Sequence, residues 1–142
     1  MTSALENLPR SHLADWIGSH VDSWLEDGVI TSVVLEDKHM NPAGVVHGGV
    51  VTTMMDEATG YSVVVSRGVD ASMAAPHFTV EVSVSLLSGA RAGDHLDCEA
   101  HTLRIGRAVA VAEAEVRVRG RDAPVAKGRF TYAILAPRGE ET

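Results

Sequence analysis

The segment Asn41-Pro42-Ala43-Gly44-Val45-Val46-His47-Gly48-Gly49-Val50-Val51-Thr52-Thr53-Met54-Met55-Asp56-Glu57 gathers the residues of this sequence best suited to chemistry. Paired glycines at a helix start let another group approach backbone amides that have no partner inside the helix. Such amides carry partial positive charge and favour an anion or a developing oxyanion. Gly48 N–H is therefore a candidate oxyanion donor. The segment lacks the Gly-Lys-Ser/Thr of a phosphate-binding P-loop, and it has no Gly-x-Gly-x-x-Gly dinucleotide fingerprint. Asp56 is the unusual residue, about two turns into an apolar run, where an ionised carboxylate is costly unless it is paired or put to use. It could hydrogen-bond a neighbouring loop or face water beside Glu57. The sharper reading is a general base or nucleophile. Eight residues separate Gly48 from Asp56, which is about 12 Å along a helix axis. One helix cannot bring both to one carbonyl. If both serve one site, two copies of the helix must lie antiparallel under two-fold symmetry, with Asp56 of one subunit facing Gly48 of the other.

These residues need elements to hold them. Leu13, Trp16, Ile17, His20, Val21, Trp24 and Leu25 recur at helical steps, with Ser11 placed to cap an amphipathic N-terminal helix and Gly28 to end it. Val29 to Asp37 is β-branched and reads as a strand, and Asn41 to Gly44 as loop. From Gly48 to about Val65 the apolar content predicts a buried helix, although Val63, Val64 and Val65 also suit a strand. Ser66-Arg67-Gly68 stops it. Phe78, Val80, Val82, Val84 and Leu86 alternate with Thr79, Glu81, Ser83 and Ser85, which predicts a strand with one face on a core. Asp94 to Arg104 is a weaker strand, Ala108 to Arg119 a long one, and Val125 to Leu135 the last. In the long strand Ala112, Ala114, Val116 and Val118 point inward, while Glu113, Glu115, Arg117 and Arg119 form a solvated face. Small inward alanines leave room for a helix packed in the sheet's concavity. The order predicts an α+β fold: an N-terminal helix, a strand, a buried helix, then four strands in meander, the curved antiparallel sheet wrapped round the buried helix.

The 142 residues fit one domain, with residues 1–27 as an N-terminal helix segment and 28–137 as the core. Nineteen acidic against twelve basic residues leave a net charge of -7, so no overall positive field attracts nucleic acid or anionic lipid. The imbalance is local. Eleven acids and three bases lie before residue 91, against eight and nine from there on, so an anionic small molecule is expected to meet the second part. A single cysteine, Cys98, cannot form an internal disulfide and reads as a small core residue. No apolar stretch approaches the ~18 residues of a membrane span, and the first residues lack a secretory signal, which predicts a cytoplasmic protein. His12, His20, His39, His77, His95 and His101 show no metal-ligand spacing, so no metal is expected.

The pattern Asn41-x5-His47-Gly48-Gly49-x6-Asp56 resembles the hotdog-fold acyl-CoA thioesterases of the phenylacetic-acid-degradation (PaaI) type. Thr79 to Leu87 with Gly93-Asp94, Leu103 to Arg107, and Val125 to Tyr132 are similar to that family's later strands and turns, in order. The resemblance implies a hotdog fold and hydrolysis of an acyl-CoA thioester to free acid and coenzyme A. Asp56 matches the catalytic carboxylate, as nucleophile or as base for water. Gly48 matches the oxyanion amide, Asn41 a polar residue near the thioester carbonyl, and His47 a histidine shaping the site. Thr79 falls where relatives carry a water-orienting Ser or Thr. Ser88-Gly89-Ala90 replaces an Arg-Pro pair of many relatives, which leaves Arg91, Arg104, Gly106 and Arg107 as the candidates for holding coenzyme A. Coenzyme A is then part of the substrate, no separate cofactor is implied, and the implied assembly is a dimer that pairs into a tetramer. Two other readings fit the same segment: a hotdog enoyl-thioester hydratase or dehydratase, whose usual Asp-x4-His element is missing, and a non-catalytic acyl-CoA binding module, which would not need Asp56.

Overall fold

The computed structural model describes residues 2–136, with side chains from residue 4 onward. In chain order the elements are helices α1 (Thr2–Glu6) and α2 (His12–Ile17), strands β1 (His20–Trp24) and β2 (Gly28–Val34), and a single 3-10 turn at Asp37–His39. Helices α3 (Gly48–Arg67) and α4 (Val69–Ala74) follow, then strands β3 (His77–Leu86), β4 (His95–Ile105), β5 (Val109–Val118) and β6 (Pro124–Ile134).

Ser11 caps α2 as its sequence position predicts, its hydroxyl accepting from Ala14 N at 2.9 Å. The helix, however, does not run on to Gly28. Gly18 adopts φ +82° and its N–H closes on the carbonyls of Ala14 and Asp15, the left-handed stop that glycine makes without steric cost. His20, Val21 and Trp24, spaced to suit a helix face, lie instead in β1 and pair with β2 from His20 opposite Ser32 to Trp24 opposite Val29. Without β1, the edge of β2 would expose a row of unpaired peptide groups.

Six antiparallel strands run in the order β1-β2-β4-β5-β6-β3. The expected four-strand meander is therefore corrected: β4, β5 and β6 form a meander, whereas β3 sits at the far edge beside β6 and β4 joins β2. The 20 residues of α3 span about 30 Å, enough to carry the chain across the sheet before β3 begins. The helix lies on β2, β4 and β5. Beneath it lie small side chains: Ala110, Ala112 and Ala114 of β5, where the alternation predicts them, with Ala100 of β4 and Ala126 of β6, all buried along with Val51, Met54, Met55, Ala58 and Val63 of the helix. Each of the larger side chains contributes about 1.5–3 kcal/mol by leaving water. At Gly128 of β6 a Cβ would stand 2.8 Å from the Ser83 carbonyl of the neighbouring β3 and 3.0 Å from Met55 Cε of the helix, so glycine relieves crowding against the β3 backbone first.

Strand β3 departs from simple alternation. Thr79 pairs with Tyr132 and Glu81 with the next residue back, Thr131, which leaves Val80 as the extra residue of a bulge. The bulge reverses the parity of the strand. Thr79 joins Val82, Val84 and Leu86 on the helix side, opposite Tyr132, Phe130, Gly128 and Ala126, while Phe78 turns to the other face. Nor is the apolar set buried as expected: Phe78, Val80, Val82 and Leu86 are 49%, 55%, 45% and 56% exposed, because β3 is an edge strand and the helix covers the middle of the sheet. Cys98 is fully buried, its thiol pushed up to about 12 by desolvation, an unreactive core residue as its isolation in the sequence suggests. Among the described residues no helix is long and apolar enough to cross a membrane.

Candidate active site

The sequence-predicted residues fall into two groups along α3. The first surrounds the helix start. Asn41 folds the preceding loop on itself: its Oδ1 accepts from Ala43 N at 2.9 Å and Val45 N at 3.3 Å, and its own N–H donates to the Val45 carbonyl at 2.8 Å. Met40 and Val46 close the loop's base as a β-bridge. His47 then enters with extended backbone, and its N–H donates to the His39 carbonyl at 2.8 Å. The His47 ring caps the helix, Nδ1 accepting from Gly49 N at 2.9 Å. That bond assigns the hydrogen of the neutral ring to Nε2. Gly48 is the first helical residue, and its N–H has no acceptor among the described residues. It is the free donor its position predicts. A Cβ on Gly48 would lie 2.6 Å from Leu86 Cδ1, so a side chain here would push the end of Leu86 aside. Arg91 lies beside this loop, its guanidinium 3.5 Å from the Gly44 carbonyl.

The second group surrounds Asp56. Thr79 Oγ1 donates to Asp56 Oδ1 at 2.6 Å. Tyr132 OH lies 3.2 Å from the same Oδ1 and 2.8 Å from the Asp56 carbonyl, and 2.7 Å from the Thr59 hydroxyl. Burial, and after it the neighbouring Asp56 charge, raises the Tyr132 phenol above the ordinary tyrosine range, so it stays protonated and donates. Oδ2 of Asp56 has no partner among the described residues. The half-buried carboxylate lines a shallow cavity of about 420 Å³ with Gly60, Tyr61, Val64, His77 and Phe78. Its neighbour Glu57 is engaged differently, accepting from the Ser11 hydroxyl at 2.9 Å and tying the N-terminal segment to α3. His77 backs the cluster: its ring meets Tyr132 edge-on with centroids 5.3 Å apart, Nε2 lies 3.2 Å from the Gly60 carbonyl and Nδ1 lies 3.0 Å from the Arg67 guanidinium. Because guanidinium only donates, Nδ1 accepts and Nε2–H donates. That neutral form agrees with a His77 pKa lowered chiefly by burial.

Of the sequence-predicted set, the fold brings Thr79 to Asp56 and gathers Asn41, His47, Gly48 and Arg91 at the helix start. It does not bring the two groups together, since Gly48 and Asp56 lie on one unbroken helix about 12 Å apart. Arg104, Gly106 and Arg107 occupy the β4–β5 hairpin, at the end of the sheet where β6 finishes and Ile134 N bonds the Ala108 carbonyl at 2.9 Å. Arg91 lies at the opposite end, so the four candidates for coenzyme A are divided. Arg104 pairs with Val111, which turns it to the face of the sheet away from α3, and Gly106 N–H closes the hairpin on the Val109 carbonyl at 2.8 Å. Sequence reasoning missed Tyr132. Its one available signal was a phenol at an inward position of a buried strand, where a hydroxyl needs a partner. Among the described residues no group of three His, Cys, Asp or Glu side chains is arranged to hold a metal ion.

Comparison with known proteins adds to this geometry. The thioesterase superfamily profile matches residues 43–124. A putative esterase of Caenorhabditis elegans is 35% identical over 107 residues, which cover 75% of this chain and 60% of that protein's length. Acyl-coenzyme A thioesterase 13 of Homo sapiens is 27% identical, over 72% of this chain and 70% of that protein. A structure described as a putative thioesterase, phenylacetic acid degradation-related protein, from Ralstonia eutropha superposes with a TM-score of 0.80 at 25% identity, covering 93% of this chain and 97% of that one.

Proposed function

The chain belongs to the thioesterase superfamily, with a hotdog fold of the phenylacetic-acid-degradation type, and from that premise we propose that it hydrolyses an acyl-CoA thioester to the free acid and coenzyme A. The observation that carries the reading is the Asp56 carboxylate: half-buried, fixed through one oxygen by hydroxyls, and open through the other beside a cavity. The name of the human relative supplies the substrate class. Gly48 N–H donates to the thioester oxygen and stabilises the negative charge that develops there during attack. Asp56 either takes a proton from attacking water or attacks the carbonyl itself, giving a mixed anhydride that water then opens. In both cases coenzyme A leaves as the thiolate and one water is consumed. Since one helix holds Gly48 and Asp56 too far apart, the working site combines Asp56 of one subunit with Gly48 of the partner subunit across a two-fold axis. Arg91, beside the loop that leads into the Gly48 helix start, is the cation placed to meet a phosphate of coenzyme A, and Arg107 in the β4–β5 hairpin is a second candidate at the other end of the sheet.

The test measures free thiol release from acetyl-, hexanoyl-, palmitoyl- and phenylacetyl-CoA by the wild type, by Asp56→Ala, by Gly48→Pro, and by the two inactive variants unfolded and refolded together. Each variant alone is expected to be nearly silent. Random pairing should return about a quarter of wild-type activity, because half the dimers are mixed and each mixed dimer holds one intact site. No recovery on mixing removes the shared site. Hydration of a crotonyl thioester without thiol release removes the hydrolase.

A further inference from the structure

Two hydroxyls from different strands meet on a single oxygen of Asp56. Thr79 and Tyr132 are directly paired across β3 and β6, so their side chains stand on the same face of the sheet. Both reach Oδ1, at 2.6 Å and 3.2 Å. The pairing depends on the bulge at Val80, without which Thr79 would turn away from the helix as strict alternation requires. Tyr132 also bonds the Asp56 carbonyl at 2.8 Å, so one phenol ties the carboxylate to its own backbone. The hydrogens can be counted. Thr59 Oγ1 lies 2.7 Å from Tyr132 OH and 2.8 Å from the Met55 carbonyl, and when it donates to the phenol the single Tyr132 hydrogen is left for Asp56. Thr79 supplies the other hydrogen. Oδ1 thus takes the Thr79 hydrogen and a share of the Tyr132 hydrogen, which also serves the nearer Asp56 carbonyl, and Oδ2 has no donor among the described residues.

We propose that the Thr79–Tyr132 pair is a two-hydroxyl clamp that holds Oδ1 and presents Oδ2 as the reacting oxygen, with Tyr132 a positioning residue for the reaction. The proposal rests on the reading that Asp56 is the catalytic carboxylate. A carboxylate with two free torsions samples many orientations, and an error of about 1 Å at the reacting atom is enough to cost up to a hundredfold in rate. The clamp removes that freedom. Thr79 keeps its lone pairs, so it can accept a hydrogen from water while donating to Oδ1.

The experiment follows thiol release from pH 4.5 to 8 by the full-length oligomer, using whichever acyl-CoA of the panel above the wild type hydrolyses fastest. Tyr132→Phe should lower kcat roughly tenfold to a hundredfold, with KM changed less than about twofold, and should move the acid limb of the profile to higher pH. Thr79→Val should act in the same direction. A loss of fold stability alone would scale kcat without moving the limb. The chain has two tyrosines, so uniform 3-fluorotyrosine in a Tyr61→Phe background places the label at residue 132 alone. The more acidic phenol is a stronger donor, and relative to unlabelled Tyr61→Phe it should move the limb to lower pH. This arm stands even if Tyr132→Phe does not fold. If Asp56→Asn is inactive while the acid limb stays at its wild-type position with the phenol removed or fluorinated, the clamp is overturned and the catalytic reading survives. If Asp56→Asn hydrolyses normally, the catalytic reading falls and the clamp with it.

Discussion

At Gly48 the functional group is a backbone amide, and most of what holds it lies within the preceding residues: the Asn41 turn, the Met40–Val46 bridge and the His47 cap. At Asp56 the functional group is a side chain, and its partners come from 23 and 76 residues further along the chain. The first region is made by local conformation and the orphan amide that any helix start leaves. The second is made by register, a bulge and a buried phenol. The two also meet solvent differently: His47 is exposed, whereas Tyr132 and Thr59 are buried and Asp56 is half-buried. An oxyanion donor can be built from the backbone because an amide has no torsion left to control once the helix forms. A carboxylate on a flexible side chain needs outside support.

Substitutions at the two regions should therefore fail in different ways. The largest effect is expected at the side-chain end: Asp56→Ala should cut kcat/KM about 10²- to 10⁴-fold while leaving the circular dichroism spectrum unchanged, because only a carboxylate can supply the base or nucleophile. At the backbone end a side-chain truncation is impossible, and the matching probe is Gly48→Pro. Proline is tolerated at the first helical position, and the extended His47 backbone suits a following proline, so the amide is lost with the helix kept. Thiol release should drop about 10²- to 10³-fold. Leu86→Ala in the same chain relieves the contact that the new ring makes with Leu86 Cδ1 and should not restore turnover. Equal activity of Gly48→Pro and wild type would end the claim that this amide is used.

A smaller effect is expected at the cap. His47→Ala removes the acceptor for Gly49 N and should cost about 1 kcal/mol of stability, read as a lower urea midpoint with an unchanged slope. A loss of turnover much larger than the loss of folded protein would give His47 a part in the chemistry beyond capping. The smallest effect concerns His77, which supports Tyr132 from behind. Its folded pKa is lowered chiefly by burial, with the Arg67 charge also lowering it and the Gly60 bond opposing. The unfolded chain thus takes up this proton at a higher pH than the folded one. The stability that His77 contributes is full above the unfolded value of about 6.5 and is lost as pH falls through and below it. Wild type should melt lower at pH 5.5 than at 7.5, and His77→Gln should narrow that difference. A gap that stays the same in the variant assigns the acid sensitivity to other groups.

At the helix start the free amide and the loop before it were legible from the sequence, because glycine at a helix start is a short-range signal, whereas the His47 cap and the Asn41 turn come from the structure. The buried helix and the small residues beneath it were legible from periodicity for the same reason. Failures began where the same residue types satisfy two local patterns. His20, Val21 and Trp24 fit a helical face and a strand equally, and the free edge of β2 decided between them. In β3 the alternation of Phe78 to Leu86 gave no sign that Val80 is an extra residue, because a bulge is a mismatch between two strands and does not exist in one of them. Tyr132 went unnoticed since nothing near it in the chain points to Asp56.

By itself the sequence determined the strands and the long helix of the core, the identity of the free amide, the presence of a costly carboxylate on an apolar helix, and the axial separation that keeps the two from sharing a substrate within one chain. These follow from dihedral preference, helical rise and the cost of burying charge, which act over a few residues. Only the tertiary structure decided that β3 crosses to the far edge of the sheet, that Thr79 faces the helix rather than turning away from it, and that a phenol from the last strand holds Asp56. Those outcomes depend on pairing between segments far apart in the chain. There a shift of one residue exchanges the two faces of a strand, and no local preference is strong enough to fix it.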